Sequence, residues 1–352
     1  MRYPKFLKPG GQIGLIAPSF GCTTQPYRTL FDEAQKQWHE AGYGIVLGPN
    51  CYADKGIGKS NTPEACAAEV NDFFLGDKSD VIISCGGGET MCEDLPYIDF
   101  DAISLAEPKW FMGYSDNTNL TFTLPVLCDT AAVYGPCAAS FGMRERHSCI
   151  DDAFGILTGS TLSVHNYDKW ELAEAETPEG TEPDPLAPYN LTEDFKLRSF
   201  IGFDEVRGGA RAIEFSGRLI GGCLDCLSNL VGTPYDRVEQ FVARYAADGI
   251  LWYLEACDLN VMSIRRALWQ LDQAGWFEHA SGFILGRPRL YTDTWGDFDH
   301  VAAAVSILGR HGVPIILDLD IGHLPPAMPI ISGAVGHAVT EGNTFTMKYE
   351  LR

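Results

Sequence analysis

Short apolar segments alternate with amphipathic segments through the first third of the chain. The apolar segments, which we interpret as buried strands, span 12–18, 44–47, 80–85 and 110–112. Residues 27–41 predict an amphipathic helix with Leu30, Ala34 and Trp38 on one face. A second helix is predicted to begin at Thr62, a capping residue followed by proline. This alternation predicts parallel βαβ units in a doubly wound α/β sheet.

A second α/β unit begins near Glu205. Its predicted strands and helices span 211–220 (a strand or a hairpin), 224–231, 249–254, 262–274, 282–286 and 313–318, and an antiparallel pair, 335–339 and 345–349, closes the chain. Residues 168–195 between the halves are rich in acids and prolines and lack periodicity, which indicates a linker or a lid. We therefore expect an N-terminal α/β domain over 1–165, an acidic linker over 166–204 and a C-terminal domain over 205–352.

The predicted strand 110–112 runs into a motif that suits a catalytic residue. The apolar Trp110-Phe111-Met112 runs into Gly113-Tyr114-Ser115-Asp116-Asn117, and a helix-compatible segment follows over 119–124. A serine on a sharp strand-to-helix turn exposes its hydroxyl near backbone N–H groups, which suits a nucleophile. An ordinary helix N-cap has the same residue types, and the second glycine of a G-x-S-x-G elbow is absent.

Composition limits the classes of partner. The chain has 352 residues, 45% of them hydrophobic, and a formal net charge of −21, which is unfavourable for binding nucleic acid. No apolar segment is long enough to span a bilayer, and the first residues have no signal-peptide pattern. We expect a cytoplasmic protein that binds neither membrane nor nucleic acid.

The eleven cysteines are scattered, as is typical of reduced, buried thiols. Cys223 and Cys226 have CxxC spacing, but no second pair completes a zinc site. They are therefore interpreted either as two thiols buried in the core or as a redox-active pair, and both interpretations stay open.

A nucleophilic serine needs a base, and the base needs an acid to orient it. Among the eight histidines, His323 follows a buried strand and a glycine, and the prolines after it stiffen its loop. Glu255 ends an apolar strand, where a carboxylate is costly to bury unless it is paired. The alternative for His323 is a purely structural role, and the alternative for Glu255 is a place on the surface. Asp318 and Asp320 are rival candidates for the acid that orients His323.

A glycine turn, Gly86-Gly87-Gly88, follows the predicted strand 80–85 and has backbone N–H groups that suit an oxyanion hole or a phosphate. Glu89 after it would repel a pyrophosphate, which argues against a dinucleotide-binding oxidoreductase.

The chain resembles the LD-carboxypeptidase family of serine peptidases, which includes the microcin C self-immunity peptidases. The matching segments are Ile16-Ala17-Pro18-Ser19, Gly87-Gly88, Leu95-Pro96-Tyr97-Ile98-Asp99, Gly113-Tyr114-Ser115-Asp116, Gly217-Arg218-Leu219-Ile220-Gly221-Gly222, Leu254-Glu255 and Gly322-His323. The resemblance implies a triad of Ser115, Glu255 and His323, backbone oxyanion donors at Gly87 and Asp116, and no metal or organic cofactor. It also implies a C-terminal α/β or barrel-like domain, an active site between the two domains and a homodimer.

Departures from the family pattern concern the substrate region. Gly86-Gly87-Gly88-Glu89 stands where many members have Arg-Gly-Gly-Tyr, and Cys223 stands where they have asparagine. Candidate substrate contacts are therefore Gly88, Glu89 and Cys223. Trp170 is added by its place in the acidic loop, since a loop aromatic stacks on the nucleotide base in the microcin-immunity branch.

The expected activity is that of a serine carboxypeptidase acting on an amide bond in a small peptide-like substrate. A murein L,D-tetrapeptide and a microcin C-type aminoacyl nucleotide are equally compatible with the sequence. The alternative is a non-catalytic protein that sequesters a peptide or nucleotide in the same cleft.

Overall fold

The computed structural model describes residues 1–175, 182–206 and 212–352. Its strands are β1 (Gln12–Ile16), β2 (Gly44–Leu47), β3 (Val81–Ser84), β4 (Trp110–Gly113), β5 (Ala132–Tyr134), β6 (Ser163–His165), β7 (Lys169–Trp170), β8 (Glu193–Asp194), β9 (Arg198–Ile201), β10 (Asp204–Glu205), β11 (Ile213–Cys223), β12 (Ile250–Glu255), β13 (Ala280–Gly286), β14 (Pro314–Leu319), β15 (Ile330–Ser332), β16 (Val335–Glu341) and β17 (Thr344–Glu350).

The α-helices are α1 (Tyr27–Glu40), α2 (Pro63–Leu75), α3 (Phe100–Leu105), α4 (Thr118–Thr121), α5 (Thr123–Cys128), α6 (Ser148–Thr158), α7 (Leu224–Leu230), α8 (Val238–Tyr245), α9 (Val261–Gln273) and α10 (His300–Leu308). Short 3₁₀ helices span Met91–Tyr97, Ser115–Asn117, Ala138–Gly142 and Gly309–His311. The hydroxyl of Thr62 accepts from the N–H of Ala65, so α2 begins at the predicted cap. None of the described helices is long and apolar enough to cross a membrane.

The first sheet is six-stranded, in the order β15-β5-β4-β3-β1-β2. Strands β1 to β5 are parallel, and β15 pairs antiparallel with β5. Successive residues of β3 point to opposite faces: Ile83 packs in a cluster with Trp38 of α1, and Ile82 packs in a second cluster with Phe73 of α2. Helices thus cover both faces, which confirms the doubly wound sheet.

The second sheet is nine-stranded, in the order β10-β9-β14-β13-β12-β11-β16-β17-β6. Its central strands β11 to β14 are parallel, and antiparallel strands flank them on both sides. No pairing between described strands joins β10 to β6, so the sheet is open. The expectation of a barrel-like C-terminal domain is therefore corrected to an open, mixed α/β sheet.

The two sheets exchange strands. β15, from the C-terminal part of the chain, completes the first sheet, while β6 and β9, from the segments before residue 205, join the second. The domain boundaries at 165 and 204 stay a prediction. What the exchange does establish is that both sheets contain residues from both halves of the sequence.

Local expectations differ from the structure in a few places. The buried face of α1 carries Phe31 with Ala34 and Trp38, and Leu30 is only partly buried. The segment 168–195 contains the short antiparallel pair β7 and β8, although it is otherwise irregular. Part of that segment, 176–181, and the start of the predicted strand at 211 lie outside the described residues.

Candidate active site

The candidate residues meet at the carboxyl ends of parallel strands from both sheets. Ser115 follows β4 after one residue, Gly87 lies three residues after β3, and Glu255 is the last residue of β12. Cys223 ends β11 and lies beside Glu255 in the parallel register. Ser115, Gly87, Cys223 and His323, which follows β14, border one cleft with a volume of about 1090 Å³, and the buried Glu255 lies behind His323. Ligands of open α/β sheets bind at this edge.

Ser115, His323 and Glu255 form a continuous chain of hydrogen bonds. His323 Nε2 lies 2.9 Å from Ser115 Oγ, and His323 Nδ1 lies 2.8 Å from Glu255 Oε2. The carboxylate accepts the Nδ1 proton, which leaves Nε2 free to accept the serine proton. The structure therefore brings together Ser115 and His323, which are 208 positions apart in the sequence, and Glu255 and His323, which are 68 positions apart.

The rival acids have other partners. Asp318 lies 2.7 Å from Nε2 of His300. Asp320 pairs with the buried guanidinium of Arg287 and accepts from the N–H of Tyr167 at 2.7 Å. Neither carboxylate contacts His323, so Glu255 is the acid that the fold gives to this histidine.

The backbone at Ser115 is strained, as in a sharp strand-to-helix turn that exposes its side chain. Ser115 has φ = +62°, a left-handed conformation that non-glycine residues adopt rarely. A β-carbon at Gly113 would lie 2.8 Å from the side chain of Asn117, so the turn needs a glycine there. Asn117 takes the place of the second elbow glycine, and its Nδ2 donates to Gly86 O at 2.8 Å. This bond ties the nucleophile turn to the glycine turn.

Charge pairing sets the ionisation of His323 and Glu255. Burial lowers the pKa of His323, but the negative charge of Glu255 outweighs it, and the pKa is raised well above 6.5. Burial raises the pKa of Glu255, but the charge of His323 and its hydrogen bond, with one from Tyr134, outweigh that and leave the pKa below its usual value. The buried carboxylate is thus held ionised beside the imidazole.

Tyr134 is a member of the site that the sequence reasoning missed. Its hydroxyl donates to Glu255 Oε1 at 2.6 Å and accepts from the backbone N–H of Ser115 at 3.2 Å. It lies on β5, which pairs with β4 at Gly113. No local pattern marks it, because a buried tyrosine in an apolar strand is typical of a core; only the pairing of β4 and β5 shows what it touches.

Gly87 lies against Ser115. A β-carbon there would sit 3.2 Å from both Cβ and Oγ of Ser115. Asp116, the next residue after the nucleophile, has its N–H in the first turn of a 3₁₀ helix, where backbone donors lack partners within the helix. Its carboxylate accepts from Ser19 Oγ at 2.5 Å and from Met91 N at 3.0 Å.

The candidate substrate contacts fall into two groups. Gly88, Glu89 and Cys223 border the cleft. Trp170 does not: it is 5% exposed, and its ring packs edge-on against Tyr291 at 5.0 Å, under the guanidinium of Arg287 at 4.7 Å. Substrate contact by Trp170 therefore stays a prediction, which its burial in this structure does not support; its neighbours at 171–174 border the cleft.

Cys223 and Cys226 are free, buried thiols at the start of α7. Cys226 Sγ lies 3.6 Å from the carbonyl oxygen of Ser115, and Cys223 Sγ lies 3.3 Å from Asp225 Oδ2. A hydrogen bond with Cys223 lowers the pKa of Cys226, but burial and the nearby charge of Asp116 together outweigh it, so the pKa is raised. Cys226 thus packs against the turn that carries Ser115.

Family models match in both halves of the chain. The LD-carboxypeptidase N-terminal domain matches residues 13–135, and the LD-carboxypeptidase C-terminal domain matches residues 216–337. The first span contains Ser115 and the glycine turn, and the second contains Glu255 and His323. Each half of the family's fold thus supplies part of the hydrogen-bonded chain.

Relatives and solved structures agree with the family models. The microcin C7 self-immunity protein MccF of Escherichia coli is 25% identical over 92% of this chain and 89% of its own length. A Bacillus subtilis protein named as a probable murein peptide carboxypeptidase is 24% identical over 94% of this chain and 89% of its own. The crystal structure of an MccF-like protein from Bacillus anthracis superposes with a TM-score of 0.79 at 22% identity, covering 99% of this chain and 100% of that one.

Ligands are present in other structures with this fold. MccF in complex with glutamyl sulfamoyl guanosine superposes with a TM-score of 0.78 at 22% identity, over 99% of this chain and 98% of that one. At this identity the likeness shows the fold, a two-domain mixed α/β architecture. Together with the family models, these findings show that the chain belongs to the LD-carboxypeptidase family of peptidases.

Proposed function

We propose that this protein is a serine carboxypeptidase that hydrolyses an amide bond in a small peptide-like substrate. The observation that carries the proposal is the chain of hydrogen bonds from Ser115 Oγ through His323 to the ionised carboxylate of Glu255. A serine hydroxyl is a weak nucleophile unless an oriented base accepts its proton, and this arrangement supplies both the base and its orientation.

The reaction begins when Ser115 Oγ attacks the scissile carbonyl carbon and His323 Nε2 accepts the hydroxyl proton. Glu255 stabilises the resulting imidazolium. The N–H groups of Gly87 and Asp116 donate to the oxyanion, and each such donor contributes roughly 10²–10³ in rate. The imidazolium then protonates the leaving amine, and a water molecule activated by the same histidine hydrolyses the acyl-enzyme.

Two substrate classes fit this chemistry. The B. subtilis relative is named for murein peptides and the E. coli relative for self-immunity to microcin C7. A cleft of about 1090 Å³ has room for either a murein L,D-tetrapeptide or an aminoacyl nucleotide. Among the described residues, the Phe and Tyr rings that border the cleft, where a base can stack, are those of Phe20, Tyr27 and Tyr114, whereas Trp170 is buried.

The test is hydrolysis of a murein L,D-tetrapeptide and of an aminoacyl sulfamoyl adenosine, side by side, with products identified by mass spectrometry. We expect the wild-type protein to cleave at least one of them and Ser115→Ala to cleave neither while keeping the wild-type melting temperature. If the wild type binds a candidate stoichiometrically and releases no product, the protein sequesters its ligand and the proposal is wrong.

A further inference from the structure

The cleft has an uneven distribution of charge. Acidic residues dominate its border, among them Glu89, Glu171, Glu174 and Asp258, whereas among the described residues the permanently charged cations there are Lys59 and Arg289. A substrate with a free carboxylate is repelled by most of this surface. Where such a group binds therefore depends on which of the two cations is available.

Lys59 is not available. Its side chain is 1% exposed, and its Nζ lies 2.6 Å from Asp94 Oδ1, 3.3 Å from Glu93 Oε2 and 2.9 Å from the carbonyl oxygen of Thr90. Binding a substrate anion would break a buried ion pair, which leaves an uncompensated buried charge. Lys59 is thus committed to holding the wall of the cleft.

Arg289 is available. Its side chain is 57% exposed, and its partner at 3.2 Å is Asp258, whose side chain is 61% exposed. Exposed ion pairs of this kind contribute little to stability, so a substrate anion can replace Asp258 at small cost. The guanidinium also offers two parallel donors to a carboxylate.

The position of Arg289 relates it to the leaving group. Its backbone N–H donates to the carbonyl oxygen of Ala256, the residue after Glu255, at 2.9 Å. Its Nη1 lies 3.9 Å from Sγ of Cys257, and Cys257 also interacts with the imidazole of His323. The guanidinium is thus one side chain away from the histidine that protonates the leaving amine.

In a carboxypeptidase the leaving amine and the free carboxylate belong to the same amino acid. Because both groups are attached to one carbon atom, a carboxylate must lie within a few ångströms of the nitrogen that His323 protonates. We propose that Arg289 binds this carboxylate and so selects substrates whose last residue has a free carboxyl group. This inference rests on the proposed function, and it names the residue that decides which end of a peptide the site accepts.

The experiment compares a murein L,D-tetrapeptide with the same peptide ending in a carboxamide. We expect wild-type kcat/KM to favour the carboxylate by roughly 10–100-fold, the range for a charge-assisted bidentate contact. Arg289→Gln should remove most of this preference through a higher KM for the carboxylate peptide. Arg310→Gln is the matched control, because Arg310 pairs with Asp272 at 2.8 Å outside the cleft and should leave the preference unchanged.

Binding to the Ser115→Ala variant, measured by calorimetry, separates this inference from the proposed function. If the carboxylate peptide binds more tightly than the carboxamide only when Arg289 is present, the inference holds even where the wild type cleaves nothing. If cleavage occurs and Arg289→Gln keeps the wild-type preference, the inference is overturned and the proposed function stands. Adenosine monophosphate is the third probe: if Arg289→Gln weakens its binding and not that of the peptide, the guanidinium serves a phosphate and the inference is again overturned.

Discussion

The hydroxyl of Tyr134 is the part of the site whose removal is most informative. Tyr134→Phe deletes one oxygen from a side chain that is 2% exposed and keeps the ring, which packs on Tyr253 with centroids 5.5 Å apart. Glu255 Oε1 loses its donor at 2.6 Å, and the N–H of Ser115 loses its acceptor at 3.2 Å. The change therefore frees the acid and the nucleophile's backbone together, without creating a large cavity.

The magnitude follows from those two bonds. A hydrogen bond to a charged group contributes about 1.5–3 kcal/mol and a neutral one about 0.5–1.5 kcal/mol, so we expect the free energy of unfolding to fall by about 2–4.5 kcal/mol. If the transition state loses about 1.4–2.7 kcal/mol of stabilisation because Glu255 and Ser115 are less well oriented, kcat/KM falls roughly 10–100-fold. Urea unfolding measures the first quantity, and steady-state hydrolysis of the cleaved substrate measures the second.

Tyr253→Phe is the control for Tyr134→Phe. Tyr253 is a fully buried tyrosine on β12, and none of the hydrogen bonds found in the described residues joins its hydroxyl to the triad. We expect this variant to keep kcat/KM within about threefold of the wild-type value, since it removes no triad contact. Equal kcat/KM for the two variants would refute the claim that Tyr134 positions the acid.

Three further predictions concern the base, the oxyanion hole and the loop. Because His323 must be neutral to accept a proton and its pKa is raised above 6.5, kcat/KM should rise with pH through that pKa, as a pH–rate profile would reveal. Glu255→Gln removes the negative charge that raises this pKa, so the rise in kcat/KM should move to lower pH, and kcat should fall by roughly 10³–10⁴. Gly87→Ala places a methyl group 3.2 Å from the nucleophile and should reduce kcat by roughly 10²-fold, whereas Gly86→Ala meets its nearest atom at 3.4 Å and should be near wild type in the same assay. Trp170→Ala should lower the melting temperature and leave KM unchanged, since the ring packs under the loop; a large rise in KM with an unchanged melting temperature would restore its role in binding.

The sequence was sufficient for the elements that have a strong local signal. The apolar strands 80–85 and 110–112, the cap at Thr62 and the alternation of strands and helices led to the correct doubly wound sheet. Ser115, Glu255 and His323 each end or follow a strand, and parallel strands bring such positions to one edge. Three residues far apart in sequence could therefore be placed together at one edge before their distances were known.

The rest depended on packing that has no local pattern. The residues alone did not decide which acid faces His323, because Asp318 and Asp320 are nearer to it in sequence than Glu255. The structure excludes both, since Asp318 pairs with His300 and Asp320 pairs with Arg287. The openness of the second sheet depends on edge strands such as β6 and β10, which are two or three residues long. The burial of Trp170 could not be predicted, because an aromatic residue in a polar loop has the same sequence signature whether it binds a ligand or anchors the loop.

Reaction with a fluorophosphonate tests the central claim, an activated nucleophile at Ser115, most directly. Such a reagent forms a covalent adduct with a serine that a neighbouring base activates, and peptide mapping by mass spectrometry locates it. We predict one adduct on the wild-type protein, at Ser115, none on Ser115→Ala, and a reaction slowed by at least roughly 10²-fold in His323→Ala, since general-base assistance contributes about 10²–10⁴. Labelling at another residue, or hydrolysis by Ser115→Ala at the wild-type rate, would contradict the account.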